Sequence, residues 1–135
     1  MTVFRIPVQR RFSDLDLMQH VNNVVYHDYL QEGRIRAIRQ VLELSGAPIT
    51  SQVLARQEIN YRKPLLYRSE PLIVEVSVLS IGTSSYETRI RILDDDGSLA
   101  ADALSVMVCF DEATQSPMPI PPDFSAALVS QLESS

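Results

Sequence analysis

The stretch RFSDLDLMQHVNNVVYHDYL, residues 11–30, gathers Asp14, Asp16, His20, Asn22 and Asn23 into ten residues and then turns apolar. From Asn22 onward Tyr26, Leu30, Gly33, Ala37, Val41 and Leu44 recur at steps of three and four, which predicts an amphipathic helix. About 22 residues at 1.5 Å each give a helix of about 33 Å, and Ser45-Gly46-Ala47-Pro48 supplies its stop. Asn22 is a good N-cap, with Val21 and Tyr26 as the two halves of a hydrophobic staple. Gly33 costs up to about 1 kcal/mol in helix propensity, so a glycine in mid-stripe predicts a helix pressed closely onto its neighbour.

Outward from the helix the pattern is extended. Val3 to Phe12 alternates before it, and Gln52 to Lys63 after it, stopped by Pro64. Leu72 to Ile81 is rich in valine and isoleucine between Pro71 and Gly82, and Tyr86, Thr88, Ile90 and Ile92 alternate against Glu87, Arg89 and Arg91. Asp94-Asp95-Asp96-Gly97 reads as a hairpin turn. Ser98 to Phe110 is the last long strand, expected to point Leu104, Val106, Val108 and Phe110 inward. A proline-rich strap and a short helix from Asp123 to Leu132 close the chain. The expectation is an α+β fold in one domain, residues 1–135: an antiparallel sheet with one long helix against it.

Composition narrows the function classes. The chain has 135 residues, and a net charge of -5 argues against a nucleic-acid partner. No run of about 18 apolar residues is present, so the reading is a cytoplasmic protein with no membrane partner. The single cysteine, Cys109, lies in the apolar run ALSVMVCF and reads as a buried thiol. With only His20 and His27 available, no metal site is expected. Two basic clusters, Arg34, Arg36 and Arg39, and Arg56, Arg62, Lys63 and Arg68, are either a solvated face or a landing site for a phosphorylated ligand.

Asp14 and Asp16 can be turn residues bonded to nearby backbone. Met18 at the third ligand position and the lack of a glycine at position six exclude a calcium loop. The arrangement also permits chemistry. Asp16 and His20 stand just before the start of a long helix, whose free N–H groups and partial positive charge suit a carbonyl oxygen that becomes negative. A carboxylate beside such a carbonyl can act as nucleophile or general base, giving acyl transfer without a serine or a metal.

The segment FSDLDLMQHVNNVVYHDYLQEGR resembles the signature of the hot-dog-fold acyl-CoA thioesterases, in the family named after 4-hydroxybenzoyl-CoA thioesterase, with a motif of the form Asp-x-Asp-x-x-Gly-x-x-x-x-x-x-Tyr. EINYRKPLLY, the Gly82 to Tyr86 turn, the Asp-Gly hairpin and the proline-rich tail extend the likeness over almost the whole chain. The resemblance implies an antiparallel sheet wrapped around one central helix, paired into a homodimer and possible dimers of dimers. It implies Asp16 as catalytic carboxylate and the backbone N–H at Asn23 as the group that polarises the thioester carbonyl. HVNN is also similar to plant acyl-carrier-protein thioesterases, which adds His20 to the catalytic set. Met18 stands where those enzymes have asparagine, and Gln19 where glycine is usual.

Further residues follow by position. Tyr26 is implied to pack at the site, and Asn22 to shape it with Asn23. Arg62 and Lys63, with Ser84 and Ser85, are implied to contact the nucleotide of coenzyme A, which is part of the substrate, so no separate cofactor is expected. The activity implied is hydrolysis of an acyl-CoA to free acid and coenzyme A. An acyl-carrier-protein thioesterase and a non-catalytic acyl-CoA-binding module are the alternatives. A hydratase would need Asp-x-x-x-x-His, whereas three residues separate Asp16 from His20.

Overall fold

Alternation along the strands decides which residues meet the helix. The structure, a computed structural model, describes residues 2–48 and 50–132. Its order is β1 (Phe4–Val8), a 3-10 turn (Phe12–Asp14), α1 (Val25–Ser45), β2 (Gln52–Tyr61), β3 (Leu72–Ile81), β4 (Ser85–Leu93), β5 (Leu99–Asp111), β6 (Ser116–Pro117) and α2 (Pro122–Ser130). The sheet runs β1-β3-β4-β5-β2, antiparallel throughout, with β6 added to β5. Phe4, Ile6 and Val8, Val74, Val76 and Val78, and Tyr86, Thr88, Ile90 and Ile92 are buried with the apolar stripe of α1. This is the expected architecture, one antiparallel sheet with a long helix against it.

Gly33 explains how closely the two layers meet. A Cβ placed there would lie 2.4 Å from Cγ1 and 2.9 Å from Cβ of Val74 on β3, so only glycine fits without movement of the strand. Gly46 ends α1 in the left-handed region at φ 68°, and Gly97 turns the Asp-Gly hairpin at φ 86°.

Four expectations are corrected. β1 stops at Val8, because its partner β3 begins at Leu72, opposite Val8, just after Pro71; residues beyond Val8 have no strand to pair with. On β5 the buried set is Ala101, Ala103, Ser105, Met107 and Cys109, whereas Leu104, Val106, Val108 and Phe110 are only partly buried on the opposite face. The pairing with β4 sets this, Ala103 lying opposite buried Ile90 and Ala101 opposite buried Ile92. Leu44 is 72% exposed while Leu42 is buried, since a stripe with a 3.6-residue period passes from Val41 to Leu42 and Ser45.

The helix start differs as well. Val24, not Asn22, occupies the cap position and gives no side-chain cap. Asn22 acts two residues earlier: its Oδ1 accepts from Val24 N–H at 2.9 Å and its carbonyl from Val25 N–H at 3.0 Å. With the cap at Val24, Val21 and Tyr26 are no longer the N′ and N4 positions of a staple, although both are buried in the core. Cys109 is buried, which pushes its thiol above the usual value.

Candidate active site at the start of α1

The 3-10 turn before α1 is fixed by Asp14. Its buried carboxylate accepts from Tyr29 Oη at 2.6 Å, from Arg11 N–H at 3.0 Å and from Arg11 Nε at 3.0 Å. Burial pushes this carboxyl up, but those donors outweigh it and hold it below the ordinary value. Asp14 is therefore a structural lock between the loop and α1.

Asp16 is only partly buried and its carboxylate is differently held. Oδ1 accepts from Met18 N–H at 2.8 Å and Oδ2 from Asn22 Nδ2 at 3.1 Å. The loop closes on itself, Asp16 N–H donating to the His20 carbonyl at 3.2 Å and Gln19 N–H to the Asp16 carbonyl at 3.0 Å. Gln19 turns this corner at φ 66°, in the left-handed region where the family motif has glycine. Gln19 therefore carries the strain that a side chain meets in that region.

A depression of about 370 Å³ brings Asp16, His20, Asn23, Tyr26, Arg62 and Lys63 together, joined by Tyr61. Asn22 is tied to it through Asp16. The amide N–H of Asn23 makes no hydrogen bond among the described residues, while its carbonyl accepts from Tyr61 Oη at 3.0 Å. Tyr26 is a strut: its hydroxyl donates to the Lys63 carbonyl at 3.2 Å and accepts from Leu65 N–H at 3.1 Å, and its ring packs edge-on to Tyr61 at 5.1 Å. The wall beyond Tyr61 has no regular secondary structure and is pinned repeatedly. Val21 N–H reaches the Leu65 carbonyl at 2.8 Å, and buried Arg10 reaches the carbonyls of Leu66 and Glu70.

The basic residues are paired rather than free. Arg62 grips Asp102 with Nε at 2.9 Å and Nη2 at 3.3 Å. Lys63 Nζ lies 3.0 Å from Asp94 Oδ2 and 2.6 Å from Ser98 Oγ, beside the Arg10 ion pairs with Asp94 and Asp95. Burial pushes the Asp94 carboxyl up, but the bonds from Lys63, Asp95 and Arg10 leave it well below the usual range. Ser84 and Ser85 lie elsewhere. Ser85 pairs across β5 with Val108, whereas Tyr61 pairs with Ala101; seven residues at about 3.3 Å put about 23 Å between the two ends.

Sequence reading missed a polar chain that leads inward from the depression. Tyr61 Oη is 3.4 Å from His27 Nε2, His27 Nδ1 is 2.7 Å from Gln57 Nε2, and Gln57 Oε1 accepts from Ser105 Oγ at 2.9 Å and Arg34 Nη1 at 3.1 Å. Gln57 and Tyr61 share one face of β2 and His27 follows Tyr26, so the strand period could have aligned the first two. Arg34 is buried, 5% exposed, unlike its neighbours Arg36 and Arg39 on the solvated face. Burial lowers its pKa. Among the described residues no three His, Cys, Asp or Glu side chains converge as a metal site would need, and no helix is long and apolar enough to cross a membrane.

Comparison with known proteins supplies the family. The model of the thioesterase-like superfamily matches residues 10–128. The chain is 31% identical over 111 residues to the long-chain acyl-CoA thioesterase FadM of Escherichia coli (strain K12), covering 80% of this chain and 83% of that one. A thioesterase from Thermus thermophilus, solved in complex with coenzyme A and zinc, superposes with a TM-score of 0.80 at 30% identity over 94% of this chain and 92% of that one. A predicted thioesterase from Bacillus stearothermophilus superposes at 0.86 over 99% of both chains; at 24% identity it attests the fold alone. With the sheet, the central helix and the Asp16 loop in place, these matches make the chain a member of the thioesterase-like superfamily, the hot-dog thioester hydrolases.

Proposed function

We propose that the protein hydrolyses the thioester of an acyl-CoA, with Asp16 as the reacting carboxylate. The observation that carries this is the placement of Asp16: partly open to the depression, aimed by Met18 N–H and Asn22, beside the free N–H of Asn23. In the proposed reaction Asp16 attacks the thioester carbon or activates water to do so. The Asn23 N–H and the positive end of α1 stabilise the oxyanion. His20 orients Asp16 or the water, and the coenzyme A thiolate leaves without a strong general acid because thiols ionise readily. Tyr26 fixes the floor, Asn22 the carboxylate, and Arg62 and Lys63 offer cationic edges for the nucleotide phosphates.

The proposed active unit is a homodimer. β2 is an edge of the sheet, with Val53 and Leu54 exposed, and an open strand edge invites pairing. Antiparallel pairing of β2 with a second copy sets the start of one strand beside the end of the other. Ser84 and Ser85 of one subunit would then share an end of the joint sheet with Arg62 and Lys63 of its partner, which the single chain keeps apart.

Free-thiol release from a panel of short, medium, long and aromatic acyl-CoAs tests the reading, with Asp16→Asn alongside. Turnover abolished in the variant is expected. Turnover that persists removes Asp16 from the mechanism; binding of acyl-CoA without turnover by the wild type points to a binding module, and turnover only of acyl-carrier-protein thioesters to the other donor.

A further inference from the structure

A guanidinium needs an anion when it is taken out of water, and among the described residues Arg34 has none. It is 5% exposed in the middle of α1, and only Nη1 is engaged, by the neutral Gln57 Oε1 that Ser105 also uses. Nε is shut off from solvent without a partner, and Nη2 makes no hydrogen bond among the described residues. Nε and Nη2 form the side-on edge that Arg62 presents to the two oxygens of Asp102 in this same chain. An uncompensated buried cation is strongly unfavourable, so Arg34 calls for an anion supplied from elsewhere.

Arg34 lines a cavity of about 670 Å³ between α1 and the sheet, within the size range of small-molecule sites. The wall around it is made largely of Ile35, Ile38, Leu42, Leu54, Tyr86 and Met107. Arg39 and Glu43 also belong to the lining but lie five and nine residues along α1, about 7 and 13 Å by helical rise, and both are exposed to water, which screens them. The buried Tyr86 hydroxyl, which donates to Gln52 Oε1, is the ionisable neighbour whose field reaches Arg34. An apolar cavity with one buried, unspent bidentate donor is complementary to an aliphatic carboxylate.

We infer that this cavity is a ligand site for an apolar chain ending in a carboxylate, seated with its charged end on Arg34. The carboxylate has two possible sources, the far end of an ω-carboxyacyl substrate or a free fatty acid. The first rests on the thioesterase reading above; the second does not. Arg34 is nine residues along α1 from its first residue, Val25, a rise of about 13 Å, and the cavity shares no lining residue with the Asp16 depression, so the two sites are distinct.

The test uses decanoate and decanol as probes, titrated calorimetrically into the full-length wild type, Arg34→Met, Arg34→Lys and Ile35→Asp. Arg34→Met keeps the stem and leaves Gln57 Oε1 bonded to Ser105, so the fold is retained with an equal or higher Tm. Ile35 lines the cavity and is 46% exposed on α1, so Ile35→Asp folds whatever Arg34→Met does and sets a repelling charge in the wall. Wild type is expected to bind decanoate about tenfold or more tighter than decanol. That preference vanishes in Arg34→Met and Ile35→Asp and is partly kept in Arg34→Lys. Equal binding of the two probes, or no binding of decanoate, overturns the inference.

Hydrolysis of 11-carboxyundecanoyl-CoA against dodecanoyl-CoA then separates the sources. A kcat/KM ratio that collapses about tenfold in Arg34→Met assigns the substrate's own carboxylate, and an unchanged ratio beside lost decanoate binding assigns the free acid. If neither thioester is hydrolysed by the wild type, the thioesterase reading fails while the decanoate result still decides the site.

Discussion

The side-chain amide of Asn22 donates to Oδ2 of Asp16 across 3.1 Å, while the carbonyl oxygen of the same amide accepts from Val24 N–H. One side chain therefore aims the reacting carboxylate and shapes the turn that leads into α1. Asn22→Ala should lower kcat about tenfold with KM little changed, since it frees Asp16 without removing it. Loss of the turn hydrogen bond should also cost about 1 kcal/mol of stability. Steady-state kinetics together with a melting curve check both halves; unaltered kcat would show that Asn22 does not position Asp16.

Asp16→Asn keeps the shape and one of the two acceptor oxygens, loses the hydrogen bond at the other, and removes the charge. In the proposed mechanism kcat falls at least about a hundredfold, with Tm within a degree or two of the wild type. Thiol release and thermal unfolding measured on one preparation decide between a chemical and a structural role.

Gly33→Ala sets two effects against each other. The gain in helix propensity is at most about 1 kcal/mol, whereas overpacking against Val74 costs about 1–3 kcal/mol, so the variant should be less stable. Val74→Ala removes the methyl at 2.4 Å but leaves Cβ at 2.9 Å. The double variant should therefore lose less than the sum of the singles, in a double-mutant cycle by denaturant unfolding.

Gln19→Gly should stabilise the protein by a few tenths to about 1 kcal/mol, since glycine accepts φ 66° without strain and loses part of the gain to backbone entropy. Gln19→Val, with a branched side chain at the same φ, should destabilise it. Denaturation midpoints of the two variants moving in the same direction would remove strain at this corner as the explanation.

Acid should unfold the protein through Asp14 and Asp94. Both carboxyls sit below their ordinary value of 3.8 in the folded state, so the folded state binds fewer protons than the unfolded one in that range. The stability they contribute is complete above about pH 4 and is lost as pH falls from there toward their folded values. Asp94→Asn should lower Tm at pH 6 and flatten the decline between about pH 4 and 2.5, measured as Tm against pH.

Legibility in the sequence followed the uniqueness of each pattern. The α1 stripe and Gly33 could be read because a single face of the helix is apolar and a glycine there has few other uses. β3 and β4 were read for the same reason. β5 was turned over: Leu104, Val106, Val108 and Phe110 alternate with Ala103, Ser105, Met107 and Cys109, both sets lack charge, and hydrophobicity favours the wrong one. What decides is the register: β5 pairs with β4 so that Ala103 lies opposite Ile90 and Ala101 opposite Ile92, and the buried face of β4 fixes which face of β5 is buried.

At the site, Asp16, His20, Asn23 and Tyr26 could be found together because they are near in the chain, and the motif supplied their grouping. Arg62 and Lys63 join them through the β2–β5 pairing, which local sequence does not encode. Arg34 looked like one more residue of a basic helix face. Its burial depends on Gln57 and Ser105, more than twenty residues away on other strands.

The connection from Arg62 to Pro71 has no ladder to hold it, yet Tyr26 fastens Lys63 and Leu65, Val21 fastens Leu65, and Arg10 fastens Leu66 and Glu70. Ordering a free segment of this kind costs on the order of 1–2 kcal/mol per residue. Here that entropy is lost during folding and does not have to be lost again on association. The wall of the depression is consequently preorganised, and affinity for whatever enters is not diminished by a disorder-to-order step.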